Sequence, residues 1–336
     1  MQKINGKDIY RFLISNSIYV FLFLLIVVIV IMDPTFLSTT SFSLIISQSA
    51  SKLIFALGVA GLLVMGGVDL SVGRQVGIAG VLSASLLQVP TYFNVIFPGL
   101  NLPLFLPILM AMVVTAIISC LQGVMVSKVK VPPFIASLGT SLIVYGVCCI
   151  YYSNFAGSAP IGGLRPDFTN IAQQGFTVFG VRISYLFLIA AICAFLVWVI
   201  WNKTSLGKNM FAIGGNVNAA RVSGVNVERN MLVVYIIAGL LYGLGGAFEG
   251  ARTGSASNVL GQSYELDAMA ACVLGGVSMK GGVGSIAGVV IGVFIMQIIN
   301  YGLVFVRVSA DVQYIAKGAI ILFAVMADAR KRALTD

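Results

Sequence analysis

Apolar runs separated by short polar, glycine-rich or proline-rich breaks set the rhythm of this chain from end to end. They predict ten helical spans, near residues 17–32, 42–65, 76–88, 104–126, 134–152, 183–201, 231–248, 265–278, 284–305 and 314–328. The third, eighth and tenth are short for a full bilayer crossing, which predicts tilted, partial or broken helices there. Two connections are longer than turns. Residues 153–182 are rich in Gly, Pro, Ser and Asn, and residues 202–230 predict a short helix over Asn218–Ser223. Asn218 would cap that helix and Gly224 would stop it.

Composition turns this pattern into a solvent statement. Of the 336 residues, 59% are hydrophobic and 9% charged, against roughly 25% charged in an ordinary soluble domain. No charged residue occurs between Arg74 and Lys128 or between Lys280 and Arg307. Each gap exceeds the ~20 residues that cross a bilayer core. The expected fold class is an all-α polytopic membrane protein, one transmembrane domain over 1–336.

The basic residues orient it. With an inner N-terminus, one side receives Lys3, Lys7, Arg11, Arg74, Lys128, Lys130, Lys203, Lys208, Arg221, Arg229, Lys280, Arg330, Lys331 and Arg332. The other receives only Arg165, Arg182, Arg252 and Arg307. Both termini and the 202–230 loop are therefore expected in the cytoplasm, and 153–182 outside. The formal charge of +9 is scattered among these connections and does not imply a nucleic-acid partner. The basic start before residue 18 resembles a signal peptide, but no small-residue cleavage pattern follows, so a retained first span is expected.

Chemistry is constrained by what is missing. The chain has no histidine, which removes His-based metal sites, His proton relays and any Ser/His/Asp set. The five cysteines lie in apolar stretches and read as small packing residues. No GxxxxGK[ST] phosphate loop occurs, and GVGSIAG (282–288) is one residue too long for a dinucleotide fingerprint. Neither a metal nor a cofactor is expected on this chain.

Glycine spacing predicts close helix packing: Gly284, Gly288 and Gly292, then Gly73 with Gly77, Gly239 with Gly243 and Gly246 with Gly250. The stretches GGVDLSVGRQVGIAGV (66–81) and GGVSMKGGVGSIAGV (275–289) match at both ends and hint at an internal repeat. Gly66, Gly67, Asp69, Ser71, Gly275 and Gly276 mark candidate helix breaks or gates. Asp69 or Ser71 capping the third span is the alternative. Inside the spans, Gln48, Lys52, Gln122, Asn300 and Tyr301 are candidates to line a substrate path, against simple interhelical hydrogen bonding. Glu265 and Asp267 stand at the outer end of the eighth span, where solvated caps are expected, and no acidic residue marks a span centre.

GGVDLSVG (66–73), KVPPFIASLGT (130–140), LGKNMFAIGGNVNAARVSGVNV (206–227) and LGGVSMKGGVGSIAGVVIG (274–292) together resemble the ribose-type permeases of bacterial ABC sugar importers. MDPTFLS (32–38), YELDAMAACVLGGVS (264–278) and INYGLVFV (299–306) resemble that family's galactose/methyl-galactoside branch. The resemblance implies a multi-pass inner-membrane subunit that forms a homodimer. It implies a cytoplasmic partner with two ATPase domains, which holds ATP and Mg, and a periplasmic galactose-binding protein. It also implies that Asn218, Ala219, Ala220, Arg221 and Gly224 couple to the ATPase, although Asn218 stands where many relatives carry Glu. A ribose or other pentose permease is the alternative within the family. An ion-coupled secondary sugar transporter is the alternative outside it, and would need ionisable residues deep in the spans. Lys52 is the best candidate for that role.

Overall fold

The computed structural model describes residues 17–157 and 159–333; the basic start Lys3, Lys7 and Arg11 lies outside them. All ten expected spans are helices: α1 (Ser17–Met32), α2 (Thr39–Val64), α3 (Val72–Leu86), α4 (Phe105–Ser127) and α5 (Pro133–Phe155), then α7 (Tyr185–Lys203), α10 (Val227–Thr253), α11 (Tyr264–Leu274), α12 (Ile286–Phe305) and α13 (Ala310–Ala333). Six of them, α2, α4, α5, α7, α10 and α12, are long and apolar enough to cross a membrane.

Two helices form the centre. Residues Leu53–Val64 of α2 are all buried, and so is most of α10 from Tyr235 to Ala251. Around them, α4, α5 and α7 bury one narrow face each, made mostly of small residues on α4 and α5, and turn most of their large apolar side chains outward. On α5 the buried set is Ala136, Ser137, Thr140, Val144, Cys148 and Tyr152, while Leu142, Ile143, Val147 and Ile150 are exposed. Water would reverse that sorting. In lipid the outside is as apolar as Leu, so contact is won by backbones that approach closely. Gly239 and Gly243 of α10 do this against the backbone of α4, and Gly292 of α12 against the Ala271 carbonyl of α11.

The two long connections are more ordered than the sequence predicts. Residues 153–182 complete α5 and add α6 (Pro166–Gln173), and a hairpin follows, β1 (Gly175–Val178) with β2 (Val181–Ser184). The predicted sixth span therefore starts two residues late, because 183–184 pair with β1. In 202–230 two helices form, α8 (Ser205–Gly215) and α9 (Val217–Val222). The cap of α9 is Asn216, whose Oδ1 accepts from the Ala219 N–H at 3.0 Å, and not Asn218, which is inside the helix. Gly224 follows it at φ +83°, a left-handed stop as expected.

Candidate functional site: two half-helices that meet inside the bundle

The third and eighth spans are short because both are half-helices. After α2 ends at Val64, Gly66 takes φ +77° and residues 65–71 run back into the bundle before α3 starts. The turn in after α10 is similar: residues 254–263 lead to α11. The two starts meet. The Gly261 carbonyl and the Glu265 carboxylate lie where a Cβ on Gly73 would stand, and the Leu260 carbonyl does the same at Gly77. Asp69, just before α3, bonds to Tyr242 near the midpoint of α10, so the junction sits half-way along the longest helix. Two positive helix N-termini face each other there. Asp69, and Glu265 and Asp267 in the first turn of α11, offset them.

Asp69 is fully buried and held by neutral donors. Its Oδ1 accepts from the Ser71 N–H at 2.8 Å, the Ser71 hydroxyl at 2.6 Å and Gln122 Nε2 at 3.2 Å. Its Oδ2 accepts from the Tyr242 hydroxyl at 3.1 Å. Gln75 Nε2 donates to Ser71 Oγ at 2.9 Å, and Ser119 Oγ donates to Gln75 Oε1 at 3.0 Å. Neither Asp69 nor Ser71 caps α3 through its side chain. Instead they tie the returning segment to α3, α4 and α10, and every donor spent on Asp69 lowers the cost of burying its charge.

Two further buried carboxylates lie beside the junction. Glu249 of α10 accepts on Oε1 from Arg252 Nη2 (2.7 Å) and the Tyr264 hydroxyl (2.6 Å), and on Oε2 from Arg252 Nε (3.0 Å) and the Ser51 hydroxyl. All of its acceptor sites are used. Asp267 lies between two lysines, Lys52 of α2 at 3.5 Å and Lys317 of α13 at 3.1 Å, and accepts from Asn300 of α12 at 3.1 Å. It is not a solvated cap: its side chain is 6% exposed. The half-helix start carries it inward, which an unbroken eighth span would not do. Asp69 and Asp267 are buried beside the starts of the two half-helices, and Glu249 is buried near the end of α10, so none of the three stands at the centre of a helix.

The candidate path residues are all engaged within the chain. Gln122 belongs to the Asp69 network, and Lys52 and Asn300 hold Asp267. Gln297 donates to Gln48 at 2.6 Å, and the Tyr301 hydroxyl to Ser41 at 3.2 Å. Sequence reasoning missed Gln75, Ser119, Tyr242 and Glu249. The four-residue spacing of Gln75 from Ser71, and the three-residue spacing of Gln122 from Ser119 that puts both on one face, was the available signal.

The glycine motifs meet α8 at one end of the bundle. The Gly282 N–H donates to the Val64 carbonyl at 2.8 Å, and a Cβ on Gly214 would fall on that carbonyl and on Gly282 N. At matching positions of the two glycine stretches, the Asp69 side chain accepts from the N–H of Ser71 and the Ser278 hydroxyl from the N–H of Lys280 at 3.1 Å. Gly275 packs on the Gly288 carbonyl, and Gly276 has φ +82°. Beyond α8, α9 exposes Asn218, Ala219 and Arg221 and buries Ala220. Val222 is 91% exposed. Glu228 accepts from Arg221 and Lys130, each at 3.0 Å, tying α9 and the α4–α5 turn to the start of α10.

A family model described as branched-chain amino acid transport system / permease component matches residues 41–325. The chain is 49% identical over 335 residues to the galactose/methyl galactoside import permease protein MglC of Escherichia coli strain K12, covering 99% of each. It is 48% identical to the protein of that name in Haemophilus influenzae, again over 99% of each. It is 36% identical over 317 residues to the ribose import permease protein RbsC of Bacillus subtilis, covering 93% of this chain and 92% of that one. No solved structure matches the chain.

Proposed function

This chain belongs to the permease family of the branched-chain amino acid transport type, and from that premise we propose that it is the membrane subunit of an ATP-driven importer of galactose and methyl galactoside. The observation that carries the reading is the contrast in identity, 49% to a galactose permease against 36% to a ribose permease, each over nearly the whole chain. The protein is a permease of the bacterial inner membrane. It works with an ATP-binding subunit on the cytoplasmic side, which holds ATP and Mg, and with a periplasmic galactose-binding protein. Two copies enclose the path.

The ten helices are ten spans, complete or partial, with both termini, α8 and α9 in the cytoplasm. The cation bias along the sequence supports this orientation. The binding protein then meets the end that carries α6, the β1–β2 hairpin and the Ile161–Ala256 pairing. The ATPase meets α9 and its stop, where Asn218, Ala219, Arg221 and the following Gly224 are exposed while Ala220 anchors the helix. The physical requirement is a bistable bundle biased at one end by nucleotide. Gly214, Gly281 and Gly282 leave no slack between α8, the end of α2 and the turn before α12. Movement of α9 is therefore passed through α8 to Gly66, Gly67 and the Asp69 segment, and through them to the start of α3. A neutral sugar gains nothing from the membrane potential, so accumulation draws on ATP.

The test is uptake of labelled methyl galactoside by vesicles that hold this chain with its ATP-binding and periplasmic partners. Uptake should require ATP, survive a protonophore, and be competed by galactose far better than by ribose. Uptake driven by an ion gradient without ATP would overturn the reading.

A further inference from the structure

One polar cluster has no part in the networks described above, and it lies on the outer surface of the bundle. The Arg74 guanidinium stacks on the Tyr145 ring at 4.1 Å from its centroid. Glu265 is near enough to Arg74 for their charges to interact, with its carboxylate over Gly73. One turn beyond Tyr145, Cys149 accepts from Asn258 Nδ2 at 3.6 Å. All five residues are half-buried. Arg74 Nη1 is buried and has no hydrogen-bond partner among the described residues.

Depth makes this cluster informative. Tyr145 is close to the midpoint of α5 (Pro133–Phe155), about 15–18 Å from either end at 1.5 Å per residue. Arg74 and Glu265 each lie in the first turn of a half-helix that starts inside the bundle. None of them can snorkel to a headgroup over that distance. At similar depth the exposed residues of α4, α5 and α7 include Ile117, Leu142, Ile143, Val147, Phe195 and Leu196, as a lipid-facing surface requires. An arginine with an unpaired donor, a carboxylate and an asparagine at this level are costly against hydrocarbon and mark a wet surface.

We infer that Arg74, Tyr145, Glu265 and Asn258 form a monosaccharide-contact site facing the path between two copies of the chain. The inference rests on the reading of this protein as a sugar permease. The chemistry suits a neutral polyol: Arg74 and Asn258 donate, Glu265 accepts, and the Tyr145 ring receives the C–H face of a pyranose. The charges of Arg74 and Glu265 offset each other, so the site favours no ionic solute. Because the cluster spans the starts of both half-helices, a displacement of α3 against α11 would separate Arg74 from Glu265. The site would then weaken as the path opens to the other side.

Two measurements on the complete importer test this. Arg74→Ala and Glu265→Gln should each cut sugar uptake per ATP hydrolysed by about tenfold, the loss of one charge-assisted contact. ATPase stimulation by the loaded binding protein should persist, which shows that the variants fold and assemble. In a variant whose other cysteines (Cys120, Cys148, Cys193 and Cys272) are replaced by alanine, Cys149 should react with a charged, membrane-impermeant thiosulfonate, and galactose should slow the reaction. Unchanged uptake per ATP, a Cys149 that does not react, or one whose reaction rate ignores galactose would each overturn the site. If the unaltered complex took up another solute and no galactose, the functional reading would fall instead. Protection of Cys149 by that solute would still support the site, and lack of protection would refute it.

Discussion

Asp267→Asn is the most informative single change in this protein. The substitution keeps shape and volume, so packing around α11 is undisturbed. It removes the one negative charge between Lys52, 15% exposed, and Lys317, 22% exposed. At 3.5 and 3.1 Å, and with an effective dielectric constant near 20, each attraction is roughly 5 kcal/mol before desolvation. Both are not lost in full. Removing one member of a buried ionic set costs about 3–5 kcal/mol, and the asparagine oxygen still accepts one hydrogen bond, so about 3 kcal/mol is expected. The combined variant Asp267→Asn, Lys52→Met, Lys317→Met should recover most of that loss, because an uncharged cluster carries no desolvation debt. Thermal inactivation of the purified complex in detergent, followed by a thiol-reactive fluorophore that reports exposure of the buried Cys272, ranks the three proteins. The single variant should be clearly the least stable. A single variant as stable as the parent, or a combined variant no better than the single, would refute the claim that Asp267 acts as the shared counter-charge of α2, α11 and α13.

Two other outcomes follow from backbone geometry. Gly214→Val should cost more than the roughly 1–3 kcal/mol of ordinary overpacking, because its Cβ meets the Val64 carbonyl and Gly282 N and not movable side chains; limited proteolysis of membranes should show loss of the resistant core. Gly224→Val has open space around it but φ +83°, so about 1–2 kcal/mol of left-handed strain falls on the end of α9 alone. Insertion and thermal stability should persist while co-purification of the ATP-binding subunit drops, and normal ATP-driven uptake by this variant would defeat the coupling role of α9.

The sequence alone determined where the helices lie along the chain. Burial in lipid is decided locally, by some twenty consecutive residues without charge, so ten apolar runs became ten helices. The glycine pairs Gly239/Gly243 and Gly288/Gly292 became close helix contacts, since four-residue spacing places both on one face. Gly224 was legible as a stop for the same local reason. The cap of α9 slipped by two residues because Asn216 and Asn218 are chemically equal candidates, and only the Ala219 N–H chose between them. What the tertiary structure decided is the depth at which charges sit. Asp267 reads as an outer cap until α11 starts inside the bundle, and its partner Lys52 lies 215 residues away. Glu249 reads as the beginning of a loop until α10 runs on to Thr253. Pairing over such separations depends on how helices are stacked, and apolar runs carry no information about that order. The buried ionic sets that hold the two half-helices, and the polar cluster on their outer surface, are therefore products of the fold.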